Sequence, residues 1–146
     1  MTTMAKAFAD TNIVLRLLNG GLPEFEAVEK LVTQVRGKGY ELWISRQVIR
    51  EYLVQVTRPG FLVAPLAVEQ VEIHVKTLRS LFHVADENDA VTDQLLELLK
   101  TFPSGGKQIH DANIVATMLV YGIGTLLTIN VDDMKRFSSK VSIMSP

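Results

Sequence analysis

Asp10, Glu51 and Asp111 are the side chains in this sequence best suited to chemistry, and a fourth polar group, Asn130, Asp132 and Asp133, joins them near the end of the chain. Carboxylates drawn to one place repel one another, so such a cluster is costly unless a cation is bound. Oxygen ligands alone favour a hard ion, magnesium or manganese. One or two such ions lower the pKa of a bound water and stabilise charge on a phosphodiester in transit. The chemistry that follows is phosphodiester hydrolysis.

Each acid also has an ordinary account. Asp10 and Asp111 are both of a type that caps helices. Glu51 stands among Arg46, Arg50 and Arg58, where a solvated ion pair would suffice. Asp132 and Asp133 are common turn residues. The metal reading therefore rests on all four stretches converging. Other chemistries have less support. His74, His83 and His110 form no i, i+4 pair, and the chain has no cysteine, so zinc sites and thiol nucleophiles fall away. The serines form no nucleophile elbow. Gly105-Gly106-Lys107 hints at a phosphate loop, but position 101, where the first glycine should stand, is Thr101.

The elements that must position these groups follow from periodicity. Ala7-Phe8-Ala9 is a short strand that ends at Asp10. Ile13, Val14, Leu17 and Leu18 mark a helix stopped by Asn19-Gly20-Gly21. Pro23 opens a second helix that runs to about Arg36. Leu42-Trp43-Ile44 is a buried strand with Trp43 in the core, and Ser45 caps the helix through Val56, ended by Pro59-Gly60. A helix from Pro65 to Leu81, a strand at Phe82-His83-Val84 and a helix over Val91 to Leu99 come next. Asp111 starts an apolar helix closed by Gly122. Thr125-Leu126-Leu127-Thr128 is a strand without polar alternation, as when both faces are covered. A loop with a short helix leads to a last strand, Val141 to Met144. Strands alternate with helices and no hairpin signal joins two of them. The expected fold is a single α/β domain over residues 1–146, a parallel sheet in an α/β/α sandwich. Ligands of such sheets bind beyond the carboxyl ends of the strands, which is where Asp10 and Asn130 fall.

The set Phe8-Ala9-Asp10-Thr11-Asn12, Ser45…Glu51-Tyr52-Leu53, Ile109-His110-Asp111-Ala112-Asn113 and Leu126-Leu127-Thr128-Ile129-Asn130…Phe137 resembles, in order and spacing over almost the whole chain, a PIN domain of the VapC toxin type. The resemblance implies a magnesium or manganese site, endoribonuclease activity on RNA, a homodimer and, in toxin members, an inhibitory antitoxin. It assigns Asp10 and Asp111 to the aspartates that hold the metal and Glu51 to the central glutamate. The last motif usually carries Asp or Asn where this chain has Asn130, a neutral and weaker ligand, and Asp133 is placed to restore the charge. Thr11, Asn12 and Thr128 are candidates to orient a ligand or water.

Composition sets limits. Hydrophobic residues make up 47% and charged residues 21%, enough for a packed core. The net charge of −1 argues against tight, non-specific nucleic-acid binding by the chain as a whole. Arg16, Arg46, Arg50, Arg58 and Lys107 flank the acidic motifs and are the candidates for phosphate contact. No apolar run reaches membrane length and no signal-peptide core precedes Asp10, so a cytoplasmic protein with no membrane contact is expected. The helices from Pro23 and Pro65 carry apolar faces suited to core, dimer contact or antitoxin groove. Two rivals remain: a non-catalytic PIN-like module that binds RNA or protein, and an aspartyl phosphotransferase with Asp10 as nucleophile, which would want an acid where Asn12 stands.

Overall fold

The computed structural model describes residues 4–146. Five strands form one parallel sheet: β1 (Lys6–Ala9), β2 (Glu41–Ser45), β3 (His83–Ala85), β4 (Thr125–Leu127) and β5 (Ser142–Met144), in the order β3-β2-β1-β4-β5. Around the sheet lie α1 (Thr11–Leu18), α2 (Phe25–Gly37), α3 (Arg46–Thr57), α4 (Val68–Leu81), α5 (Asp89–Thr101), α6 (Gln108–Val120) and the short α7 (Val131–Met134). The fold is α/β with helices flanking an all-parallel sheet, as the alternation of strand and helix signals requires. Ala7, Phe8 and Ala9 on β1 and Leu126 and Leu127 on β4 are fully buried, because helices cover both faces of the central strands.

Strand order places the site. The chain leaves β1 for β2 and β3 on one side, then returns to lay β4 on the other side of β1. In parallel sheets the crevice at such a reversal opens beyond the carboxyl ends of the strands. Ala9 pairs with Leu127 there, so the residues that follow, Asp10 on one strand and Thr128 on the other, start side by side.

Several boundaries differ from the sequence reading. Asp111 does not open its helix: α6 begins one turn earlier, at Gln108, after a turn in which Gly106 takes φ +57°, so Asp111 lies inside the first turn. Its carboxylate is thereby freed from capping. Pro65 lies outside α4, which starts at Val68; the Leu66 N–H donates to the Val56 carbonyl and holds the approach non-helical. Pro23 likewise precedes α2, which starts at Phe25 after Glu24 in a left-handed conformation, φ 68°. Trp43 is only half-buried. Its ring stacks on His83 at 4.9 Å and lies under the Lys6 ammonium, so it covers the sheet rather than filling the core.

Candidate active site

Asp10 ends β1 and caps α1, so the capping account and the site account both hold. Its Oδ1 accepts from the Thr11 N–H at 2.8 Å, and its Oδ2 from the Thr128 hydroxyl at 2.9 Å and the Asn12 amide at 3.3 Å. Asn12 also accepts from the Ile129 N–H, which stitches the β1 and β4 loops together. Asp10 is 7% exposed. Burial pushes its carboxyl pKa up, and the three hydrogen bonds only partly oppose that rise.

Glu51 reaches the same crevice from the second turn of α3. Its Oε1 accepts from the Thr11 hydroxyl at 3.1 Å and from Gln47 at 3.4 Å, while among the described residues no donor meets Oε2. Its pKa is raised, first by burial and then, against the Thr11 bond, by the charge of Asp10. Asp111 comes from α6, and among the described residues no hydrogen bond ties its carboxylate. Burial and the charges of Asp10 and Asp133, with Arg136 opposing, push it up to about 6. Three carboxyl groups from three elements thus feel one another's charge across one cleft.

The fourth corner is Asn130. Its Nδ2 donates to Asp133 Oδ2 at 2.8 Å, which leaves its Oδ1 as the acceptor facing outward from that bond. Asp133 does not line the cleft but acts on Asp111 through its charge. Asp132 projects into solvent beside Lys135, and its role is that of a surface residue.

The cleft measures about 680 Å³, and Asp10, Thr11, Asn12, Glu51, Asp111 and Asn130 line it together. Arg16, Arg50 and Arg58 are also on its wall. Arg46 and Lys107 are not: Arg46 is held by Asp86 at 3.0 Å, and Lys107 precedes α6 on the outside. Thr128 is buried behind Asp10.

Two residues to which the sequence reading gives no role, Gln47 and Asn113, join the acid-bearing helices. Gln47 is buried, donates to the His110 carbonyl at 3.0 Å and to Glu51, and accepts from Asn113 at 2.8 Å. Asn113 also donates to Glu87 at 2.9 Å, and Glu87 lies 3.8 Å from Arg50. Gln47 lies one helical turn before Glu51, and Asn113 two residues after Asp111. Those offsets were the available signal, but a polar residue on a buried face is recognisable only once the facing helix is known.

Among the described residues no three acidic or imidazole side chains are gathered tightly enough to enclose an ion unaided. The donors nevertheless fit a divalent hard cation. They are carboxylate oxygens and an amide oxygen, one carboxylate is untied, and all three acids have pKa values shifted in the direction that a neighbouring cation would reverse. Magnesium keeps several waters and needs only one or two carboxylates.

The PIN domain family model matches residues 7–139. No curated protein matches the chain in sequence. Solved structures do match it in fold. VapBC2 from Rickettsia felis, bound to a DNA fragment from its promoter, superposes with a TM-score of 0.66 at 19% identity, covering 96% of this chain and 98% of that one. VapC20 of Mycobacterium tuberculosis, a toxin that cleaves the sarcin–ricin loop, gives 0.67 at 17% identity over 90% and 95%. FitAcB from Neisseria gonorrhoeae gives 0.66 at 17% identity over 94% and 96%.

Proposed function

The chain belongs to the PIN-domain family, and we propose that it is a metal-dependent endoribonuclease, a single catalytic domain acting as the toxin of a type II toxin–antitoxin pair. The observation that carries the proposal is the convergence of Asp10, Glu51 and Asp111 on one cleft with all three carboxyl pKa values raised. Such a cluster is unfavourable by itself and is tolerated where it serves a ligand. Asp10, Asp111 and the Asn130 amide oxygen would hold magnesium or manganese, with Glu51 beside them and Asp133 supplying the charge that Asn130 lacks. When bound, such an ion acidifies water and offsets charge that builds on a phosphodiester.

The chain's own groups do the rest. Glu51 is anchored through Oε1 by Thr11 and Gln47, so Oε2 is oriented to take the proton of an attacking water. Its raised pKa makes it a better base near neutrality. Thr11, Asn12 and Thr128 fix the Asp10 carboxylate. Arg50, with Arg16 and Arg58, places cations along the wall for RNA phosphates; they equal Asp10, Glu51 and Asp111 in number, so a positive excess at the cleft would come with the bound metal. Arg46 and Lys107 would contact only RNA that extends past the cleft.

The partner is proposed to be an antitoxin protein and the assembly a homodimer. The apolar surface of α4 supports this: the helix buries Leu78 alone and leaves Val68 and Ile73 exposed. No helix among the described residues is long and apolar enough to cross a membrane; action in the cytoplasm is part of the proposal. The test is cleavage of total cellular RNA with manganese or magnesium, with and without chelator. Chelator-sensitive fragments are expected; intact RNA at millimolar metal would favour the alternative that Asn130 suggests, a non-catalytic module that binds RNA or protein.

A further inference from the structure

The acidic corner occupies only one end of the cleft. Gln47, Arg50, Glu51, Val54 and Gln55 line it, with Arg58 just past the helix, and the spacing of three and four residues puts the first five on one face of α3. The cleft therefore continues along the helix beyond Glu51, for roughly 6 Å to Gln55, and on to Arg58, which follows the last residue of α3 in an extended conformation. Phe61 closes this far end, half-buried, with the Arg58 guanidinium 5.9 Å from its ring centre.

The two glutamines on that face differ. Gln47 has both amide atoms bonded within the protein. The Gln55 side chain has no hydrogen bond among the described residues, and its Oε1 is buried without a partner, as is Nε of Arg16 on the facing helix α1. An unmet buried donor or acceptor is unfavourable, because burial takes away the water that would satisfy it. Here an unmet donor and an unmet acceptor stand beside an aromatic ring, a guanidinium and the apolar Val54, which is 60% exposed. Unpaired nucleobases are recognised in this way, by stacking on an aromatic ring or an Arg plane and by hydrogen bonds to the base edge.

We infer that Gln55, Arg58, Phe61 and Arg16 form a nucleobase subsite, which receives one unstacked base of single-stranded RNA next to the phosphodiester held at the acidic end. The inference rests on the nuclease reading and adds to it the source of sequence preference. Phe61 and Arg58 stack the base; Gln55 turns to meet its edge, joined by the Nε of Arg16, whose Nη1 stays on the Asn12 carbonyl at 3.3 Å.

The test is cleavage of a single-stranded RNA library, randomised in sequence, with manganese present. Wild-type protein is expected to prefer certain bases at one position beside the cut. Gln55→Ala should flatten that preference. Phe61→Ala should raise KM roughly tenfold, the size of one base–aromatic stacking contact, with kcat little changed, and Phe61→Trp should restore it. An oligonucleotide with an abasic residue at the preferred position should be cut equally by wild type and Phe61→Ala. Thermal melts establish that the variants fold; should Phe61→Ala fail to fold, Gln55→Ala and the exposed Arg58→Ala carry the test. Cleavage by wild type with unchanged KM and preference in these variants overturns the subsite and leaves the nuclease reading standing. So does an effect confined to binding of a protein partner. A wild type that neither cuts nor binds RNA overturns both.

Discussion

The two ends of the cleft are built on the same helix face yet differ in how their polar groups are tied. At the acidic end Asp10 accepts three hydrogen bonds, Glu51 two through Oε1, and Gln47 bridges α3 to α6, so the frame is fixed while Asp111 and Glu51 Oε2 stay open as the reacting edge. At the other end Gln55 and the Nε of Arg16 are unmet, and Arg58 is exposed. Tied groups are pre-organised and change little on binding, which suits stabilisation of developing charge. Untied groups adapt, which suits recognition of a base whose identity varies. One face of α3 thus carries chemistry in its first turns and selection in its last.

The largest test of this division is at the tied end. Asp10→Asn and Asp111→Asn should each abolish metal-dependent RNA cleavage while circular dichroism shows the fold retained. Activity that survives either change would remove the acidic end from the reaction. The paired glutamines come next. Gln47→Ala should lower kcat by about 10- to 100-fold, the usual cost of losing a group that orients a ligand, with base preference intact. Gln55→Ala should do the reverse. If the two variants behave alike in kinetics on one oligonucleotide series, the two ends are not separate devices.

How much of this could be read from the chain differs between the same two ends. Asp10 and Asn130 were placed correctly at strand ends because unbroken apolar runs such as Thr125-Leu126-Leu127 define parallel strands, and strand ends define the crevice. The helix of Asp111 was misread at its start. Gln108 to His110 hold one apolar residue, Ile109, so periodicity starts the helix at Asp111, one turn late. Arg46 and Arg50 differ by one turn of α3, yet Arg50 lines the cleft and Arg46 is drawn aside by Asp86; Asp86 follows a strand that only tertiary pairing brings near. Of the far end, the sequence reading names Arg16 and Arg58, as phosphate contacts, and leaves out Gln55 and Phe61. Phe61 stands in an irregular segment with no periodicity, and an unmet Gln55 is visible only when its surroundings are known.

Metal-free stability sharpens the contrast from another side. Asp111 titrates at about 6 in the folded chain against an ordinary value of 3.8. Between those values the folded state binds more protons than the unfolded one. Stability from this group is therefore fully present below about 3.8 and is lost as pH rises through about 6. Asp10 and Glu51, also raised, act in the same sense. In chelator, the melting temperature should fall by a few degrees as pH increases across that window; manganese at neutral pH should recover the loss. Asp111→Asn should make the profile shallower, with Asp10 and Glu51 supplying what remains, and Gln55→Ala should leave it unchanged. A melting temperature that rises with pH there would mean the acids are not in mutual strain.

The smallest effect expected is at Asn130, where the tied end is least charged. Asn130→Asp adds a carboxylate that suits a hard cation better than an amide oxygen does. It also removes the Nδ2 donor that now satisfies Asp133 at 2.8 Å and sets two like charges side by side. The gain in ligand charge and the new repulsion oppose each other in the empty site, and a bound cation relieves the second. Manganese affinity, measured by calorimetry, should therefore tighten only severalfold. Metal-free stability at neutral pH should drop, because Asp111 would face one more neighbouring charge. Weaker manganese binding by Asn130→Asp would place the ion away from this corner, with Asp133 serving the Asn130 loop instead of the site.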